Sequence, residues 1–169
     1  MSPNQNANYW IAKLGLKPHP EGGYFKETYR SKEGISRQCL PERYSGERVF
    51  CTGIYFLIKS GEPSCFHRIK SDEIWHFYHG SPLVIHQIAS NGEYSSIKMG
   101  SNPVERENFQ VVVPFNHWFS AEVSHMGCFS LIGCTVSPGF DFMDFEMGDK
   151  KRLSHQFPRH EEIIARLAK

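Results

Sequence analysis

The stretch most able to do chemistry is GEPSCFHRIKSDEIWHFYHG, residues 61–80, where a histidine and a glutamate lie six positions apart. These residues are His67 and Glu73, and both types bind metals, transfer protons and hydrogen-bond polar ligands. A carboxylate favours the charged form of a neighbouring imidazole, which suits proton transfer or anion binding. We therefore predict His67 and Glu73 as catalytic residues. The alternative interpretation is that His67 and Glu73 form a buried, hydrogen-bonded pair without a chemical role.

Side chains two positions apart on a strand face the same side, so Glu73, Trp75 and Phe77 are predicted to share one face. If Glu73 points into a barrel, its pocket gains a carboxylate and two aromatic walls, while His76 points away. By the same alternation His117 and Phe119 share a face. The predicted ligand-binding residues are Trp75, Phe77, His117, Phe119 and Tyr55.

Short strands separated by turn residues dominate the chain and predict an all-β sandwich or barrel. The run VFCTGIYFLI, residues 49–58, is almost continuously apolar and indicates a strand buried on both faces. Asn91-Gly92 between two strand patterns predicts a hairpin. The predicted strands are residues 24–30, 49–58, 64–69, 73–79, 83–89, 94–99, 109–113, 118–122 and 128–136.

Two short helices are predicted at the ends of the chain. Residues 8–14 form one apolar face and are followed by Gly15, a residue at which helices often stop. Pro158 begins the second helix, whose apolar face comes from Ile163, Ile164 and Leu167. The basic cluster at residues 150–152 is interpreted as a solvated turn.

Residues 61–80 resemble the first cupin motif, with Gly61, His67, Glu73 and Gly80 in register and Ile69 in place of the motif's second histidine. The segment PFNHWF, residues 114–119, resembles the second motif. In it Asn116 takes the glycine position and Phe119 takes the histidine position.

The chain is also similar to the cupin subfamily DUF985, or Cupin_5, in the segments HPEGGYF, FHRIKSDEIWHF and GCTVSPGFDF. This resemblance covers residues 10–150 and implies a double-stranded β-helix, the cupin jelly-roll barrel, with short terminal helices. It also implies a homodimer. The family has no settled activity, so the resemblance points to a site more than to a reaction.

A metal site needs three well-aimed protein ligands, and the motif match supplies only His67 and Glu73. If a divalent metal is bound, His117 is the predicted third ligand. We predict no metal, because the motif's other two ligand positions hold Ile69 and Phe119, whose side chains cannot coordinate.

Four functions fit these residues. The first is a barrel that binds a small polar organic ligand, such as a sugar or sugar-nucleotide, between aromatic walls. The second is a metal-independent epimerase or isomerase with His67 as base and Tyr24, Tyr55 or Tyr78 as acid. The third is a metal-dependent cupin enzyme, and the fourth is a non-enzymatic storage or interaction module.

Length and composition allow one domain of 169 residues, with the barrel core at about 22–147. The net charge of +1 and the interleaved charges argue against nucleic-acid binding.

The sequence has no apolar run of membrane-spanning length, and its polar start, MSPNQNANYW, lacks the features of a signal peptide. Five cysteines without a C-x-x-C motif are expected to be reduced thiols, which predicts a cytoplasmic protein. The apolar run at 49–58 predicts a homodimer, because one of its faces needs a cover.

Overall fold

The computed structural model describes residues 6–169, so the start of the polar N-terminal segment, residues 1–5, lies outside the described residues. Within residues 6–169 the fold is built from strands, with three short α-helices at the two ends. The helices are α1 Ala7–Leu14, α2 Lys150–Gln156 and α3 Glu161–Leu167. In chain order the strands are β1 Lys17–Pro18, β2 Tyr24–Arg30, β3 Gly34–Ile35, β4 Arg48–Val49, β5 Thr52–Lys59, β6 Ser64–Arg68, β7 Asp72–Gly80, β8 Leu83–Ile88, β9 Tyr94–Met99, β10 Gln110–Val113, β11 Trp118–Val123, β12 Phe129–Ser137 and β13 Glu146–Met147.

Two antiparallel sheets form the barrel. The first has the order β1-β2-β5-β12-β7-β10, and the second has the order β13-β6-β11-β8-β9. Strands far apart in sequence are neighbours, as where β12 lies between β5 and β7, and the predicted all-β jelly-roll is confirmed. The short β3–β4 pair forms a separate ribbon.

The core between the sheets takes alternate residues from both, as a half-buried pleated strand requires. Phe56 and Ile58 of β5 pack there against Phe119 and Ala121 of β11. The intervening Leu57 of β5 points outward and is covered by α1. Strand β5 is thus buried on both faces only at residues 56–58, whereas a single strand buried on both faces was predicted for residues 49–58; residues 48–49 belong instead to β4.

The C-terminal helices cover the outer face of the second sheet, where Leu153 of α2 and Ile164 of α3 pack on Phe66 and Trp118. Residues 150–152, interpreted from the sequence as a turn, are instead the first turn of α2, because Asp149 caps that helix by accepting a hydrogen bond from the Arg152 amide. None of the helices in the described part of the chain is both long and apolar enough to span a membrane.

Candidate functional site

A buried carboxylate, Glu21, lies at the centre of a polar cluster inside the barrel. Its Oε2 atom is 3.1 Å from Nε2 of His67 and 3.2 Å from Nδ1 of His19. Its Oε1 atom accepts a hydrogen bond of 2.8 Å from the Ser64 hydroxyl. Glu21 is 6% and His67 2% exposed, so this cluster is shielded from bulk water.

Local backbone geometry brings these residues together. Strand β6 pairs His67 with Phe119 and Ser64 with Ala121, so one extra residue is bulged between them. The bulge turns both Ser64 and His67 toward the interior, although simple alternation would separate them. Gly22 has a φ of +113°, and a Cβ there would collide with the Pro63 carbonyl, so only glycine lets the Glu21 segment approach β6 this closely.

Both ring nitrogens of His67 face oxygen atoms of the protein. Nδ1 of His67 lies 2.8 Å from the Cys65 carbonyl, an acceptor, and Nε2 faces the Glu21 carboxylate, a second acceptor. Burial lowers the pKa of His67, while the charge of Glu21 and the Cys65 carbonyl act to raise it. For Glu21, burial opposes ionisation, but His67, His19 and Ser64 outweigh it and lower its pKa. Glu21 is therefore the ionised carboxylate of the barrel.

Glu73 has the opposite protonation state. Burial and then the negative charge of Glu21 raise its pKa to about 8, with the Cys134 thiol and the Trp75 indole acting to lower it. Cys134 belongs to the barrel core, so Glu73 projects into the interior as His67 does. The two side chains do not pair, since the charged partner within 4 Å of His67 is Glu21.

A cavity of about 340 Å³ opens at the mouth of the barrel, on the inner face of the first sheet. His19 lines it and thereby joins the cavity to the Glu21 cluster. The His19 ring stacks on Phe142 at 6.0 Å and meets Phe25 edge-on at 4.7 Å. The complete lining is His19, Phe25, Glu27, Arg30, Thr52, Ile54, Cys134, Val136, Phe140, Asp141 and Phe142.

The predicted aromatic walls lie deeper than the cavity. Trp75 and Phe119 are each 1% exposed and pack edge-to-face within the core. Phe77 is partly buried against the same core cluster. None of the three lines the cavity, whose aromatic walls are Phe25, Phe140 and Phe142 together with His19.

Two other predicted ligand-binding residues lie away from the barrel interior. Tyr55 is on the outer face of the first sheet, where it is 36% exposed and packs edge-on against Tyr78. This placement corrects the prediction, because alternation along β5 turns Phe56 inward and hence Tyr55 outward. His117 lines a different cavity, beside Tyr94 and His160.

The tyrosines considered as acids for an epimerase also face outward. Tyr24 packs on the outer cluster beneath α1, and its hydroxyl accepts a hydrogen bond from Lys59. Tyr55 and Tyr78 contact each other on the exposed outer face. None of these three tyrosines lines the cavity beside His19.

His19 and Glu21 were missed as functional residues by sequence reasoning. Their segment, HPEGGYF, contributes to the family resemblance, but neither residue is among the site residues predicted from the sequence. The available signal was a histidine and a glutamate two positions apart beside two glycines. Their contact with His67 spans more than 40 residues of sequence, which local patterns do not encode.

The residues present do not fit the metal that cupin motifs commonly hold. Both nitrogens of His67 already have protein partners, and Ile69 and Phe119 are buried apolar side chains at the other motif positions. Across residues 6–169 no group of three or more histidine, cysteine, aspartate or glutamate side chains is arranged to hold a metal ion. The predicted set of His67, Glu73 and His117 is therefore not assembled.

Comparisons with known proteins agree with this architecture. Residues 8–148 match the family model described as Cupin_5: Cupin superfamily (DUF985). A hypothetical protein from Leishmania major is 34% identical, with a TM-score of 0.88 over 97% of this chain and 99% of that one. A protein from Shewanella oneidensis is 35% identical, with a TM-score of 0.88 over 98% of each chain.

A more distant likeness extends to enzymes. Oxalate decarboxylase from Bacillus subtilis is 14% identical, with a TM-score of 0.54 over 89% of this chain and 36% of that one. At this identity the likeness shows a shared fold alone. No curated protein matches the chain.

Proposed function

This chain belongs to the DUF985 family of the cupin superfamily, and we propose that it binds a small polar organic molecule at the mouth of its barrel. The observation that carries the proposal is His19, which lines the 340 Å³ cavity while its Nδ1 atom contacts the buried Glu21 carboxylate. Cavities of about 300–1,000 Å³ with apolar walls and a few fixed polar groups are typical of small-ligand sites. His19 is the polar group that Glu21 holds in place.

A sugar ring, free or within a sugar-nucleotide, is the ligand class we propose first. The rings of Phe25, Phe140 and Phe142 provide flat apolar surfaces for the C–H face of a sugar. The hydroxyl of Thr52 and the Glu27–Arg30 ion pair provide hydrogen-bonding groups for its hydroxyls. The combination suits a ligand with one apolar face and several polar edges.

The test is a thermal-shift panel of monosaccharides, sugar phosphates and nucleoside-diphosphate sugars, with small dicarboxylic acids as a non-carbohydrate set. We expect at least one carbohydrate to raise the melting temperature of the wild type by a few degrees, as ligand binding to the native state requires. His19→Asn should lose this shift, whereas His155→Asn, an exposed control on α2, should retain it. A panel without any shift, or an unchanged shift in His19→Asn, contradicts the proposal and favours a non-enzymatic storage or interaction module.

A second candidate function is proton transfer by an isomerase or epimerase. It is favoured by the opposite protonation of the two buried carboxyl groups, Glu21 ionised and Glu73 neutral, a pattern that separates acid from base. In this scheme His19 contacts the substrate as base, Glu21 orients its ring, and His67 positions Glu21. Solvent deuterium should enter a bound keto-sugar with the wild type and fail to enter with His19→Asn. Equal incorporation in the variant contradicts this scheme.

A further inference from the structure

A chain of hydrogen bonds lies outside the barrel, on the outer face of the second sheet. Nε2 of His86 is 3.1 Å from Oε1 of Glu122, and Nδ1 of His86 is 2.7 Å from the Tyr94 hydroxyl. Arg166 of α3 donates to the second carboxylate oxygen of Glu122. Glu122, His86 and Tyr94 come from three adjacent strands, β11, β8 and β9, so sheet pairing fixes their order.

The protonation of Glu122 decides which atom donates and which accepts in each of these hydrogen bonds. Although burial alone would raise the pKa of Glu122, Arg166 and then His86 lower it, so Glu122 is a carboxylate and only accepts. His86 therefore donates from Nε2, and its Nδ1 lone pair accepts the proton of the Tyr94 hydroxyl. Burial lowers the pKa of His86 against the opposing effect of Glu122, which favours the neutral ring, the form whose Nδ1 carries a lone pair.

Tyr94 lines a second cavity, of about 630 Å³, and its hydroxyl makes the hydrogen bond to His86. Arg159 also lines it and makes no ion pair within residues 6–169, so its charge is free for a ligand. Glu93 is the only carboxylate among the lining residues, and it opposes an anion. The full lining is Ala89, Gly92, Glu93, Tyr94, Ser95, His117, Arg159 and His160.

We propose that Tyr94 is an activated phenol at this second site, and that the site takes a small acyl or phosphoryl donor carrying a negative charge. A carboxylate that orients an imidazole, which in turn accepts a proton from a hydroxyl, is the general arrangement of an activated nucleophile. The phenol oxygen forms a bond to the electrophilic atom, and the leaving group departs with its bonding electrons. The phenolic proton passes to Nδ1 of His86, and Arg159 holds the negative charge of the donor.

Tyrosines elsewhere in the same chain provide internal controls. Tyr9 and Tyr29 are 38% and 55% exposed, comparable with the 40% of Tyr94, and within residues 6–169 their hydroxyls have no imidazole partner. The probes are 4-(fluorosulfonyl)benzoate and the uncharged benzenesulfonyl fluoride, which react with phenols by releasing fluoride. Peptide mass spectrometry then gives the labelling rate at each tyrosine. We expect Tyr94 to react about tenfold faster than the other two, and faster with the charged probe. Equal rates at the three tyrosines overturn the proposal.

Variants separate activation from a merely structural hydrogen bond. His86→Gln should reduce labelling of Tyr94 to the rate of Tyr29, whereas a structural bond predicts faster labelling once the phenol is released. Glu122→Gln should also slow the labelling of Tyr94. This variant serves as the test if His86→Gln does not fold. Arg159→Gln should abolish the preference for the charged probe, and Glu93→Gln should increase it. Faster labelling in His86→Gln, or a preference unaffected by Arg159→Gln, overturns the proposal.

Discussion

The carboxylate of Glu21 lies 3.1 Å from Nε2 of His67, so an acidic side chain from the segment before β2 occupies the imidazole nitrogen that a metal would need. The same carboxylate oxygen contacts His19, which lines the cavity. This contact explains how a barrel with cupin motif residues can keep a polar interior without the ligand set of a metal. In the proposed function His19, and not His67, faces the ligand.

Replacing Glu21 by glutamine should lower the free energy of unfolding by about 3 kcal/mol, because two buried imidazoles lose their shared carboxylate. Chemical denaturation at neutral pH measures the change. Glu62→Gln is the matched control, since its side chain is 55% exposed and its ion pair with Lys59 is 3.9 Å long. The control should change stability by less than about 0.5 kcal/mol. Equal effects of the two substitutions would show that the Glu21 contacts contribute nothing.

Glu73 should make the protein less stable as the pH rises. Its pKa of about 8 in the folded state lies above the unfolded value of 4.5, so the folded protein binds more protons between these values. Stability from this group is therefore complete below about pH 4.5 and is lost as the pH rises toward 8, by no more than about 5 kcal/mol. Glu73→Gln should remove this decline in melting temperature. A wild type and variant with parallel pH profiles from 5 to 8 would contradict the assignment.

Asp144→Asn should destabilise the protein by about 3 kcal/mol, because it leaves the buried guanidinium of Arg48 without its charged partner. Two hydrogen bonds of 2.6 and 2.7 Å join the pair, whose side chains are each 3% exposed. Glu146→Gln is the control, since its pairs with Arg68 and Arg152 are at least 36% exposed at both ends and should each contribute less than about 1 kcal/mol. Thermal unfolding of both variants measures the two losses of stability. A smaller loss for Asp144→Asn than for Glu146→Gln would contradict the prediction.

The two motif glycines should differ in their tolerance of alanine. Gly61 and Gly80 both have positive φ, +78° and +105°. A Cβ on Gly61 meets no atom within 4 Å, whereas one on Gly80 collides with the Phe129 carbonyl. Gly61→Ala should therefore cost about 1 kcal/mol of backbone strain, and Gly80→Ala clearly more. Similar unfolding midpoints for the two variants would show that the contact between residue 80 and the Phe129 carbonyl does not limit the substitution.

The homodimer remains a prediction, and the structure suggests a surface on which to test it. Tyr55 and Tyr78 form an exposed aromatic pair on the first sheet, beyond the part that α1 covers. If this face is the interface, Tyr55→Glu should yield a monomer by light scattering at micromolar concentration, because burying a carboxylate is costly. Tyr9→Glu, at a 38% exposed position on α1, should leave the dimer intact. A monomeric wild type would contradict the prediction.

Most strands were predictable because period-2 patterns and turn residues act locally. Residues 24–30 and 94–99 were predicted with the bounds they have in β2 and β9, and Asn91-Gly92 lies in the turn of the β8–β9 hairpin. Asn116, predicted to replace a motif glycine, has a φ of +61°, in the left-handed region that glycine favours. Helix α2 was missed because its first turn is short and polar, and its burial depends on a sheet distant in sequence.

The sequence by itself determined the barrel, the burial of His67 and Glu73, and the loss of two metal-ligand positions to Ile69 and Phe119. Only the tertiary structure decided which face of β5 carries Tyr55, because a strand apolar on both sides permits either orientation until its neighbours pair with it. The partner of His67 was likewise decided by folding. Residues 21 and 67 meet through a bulge and a glycine turn, and neither feature gives a pattern that links the two positions along the chain.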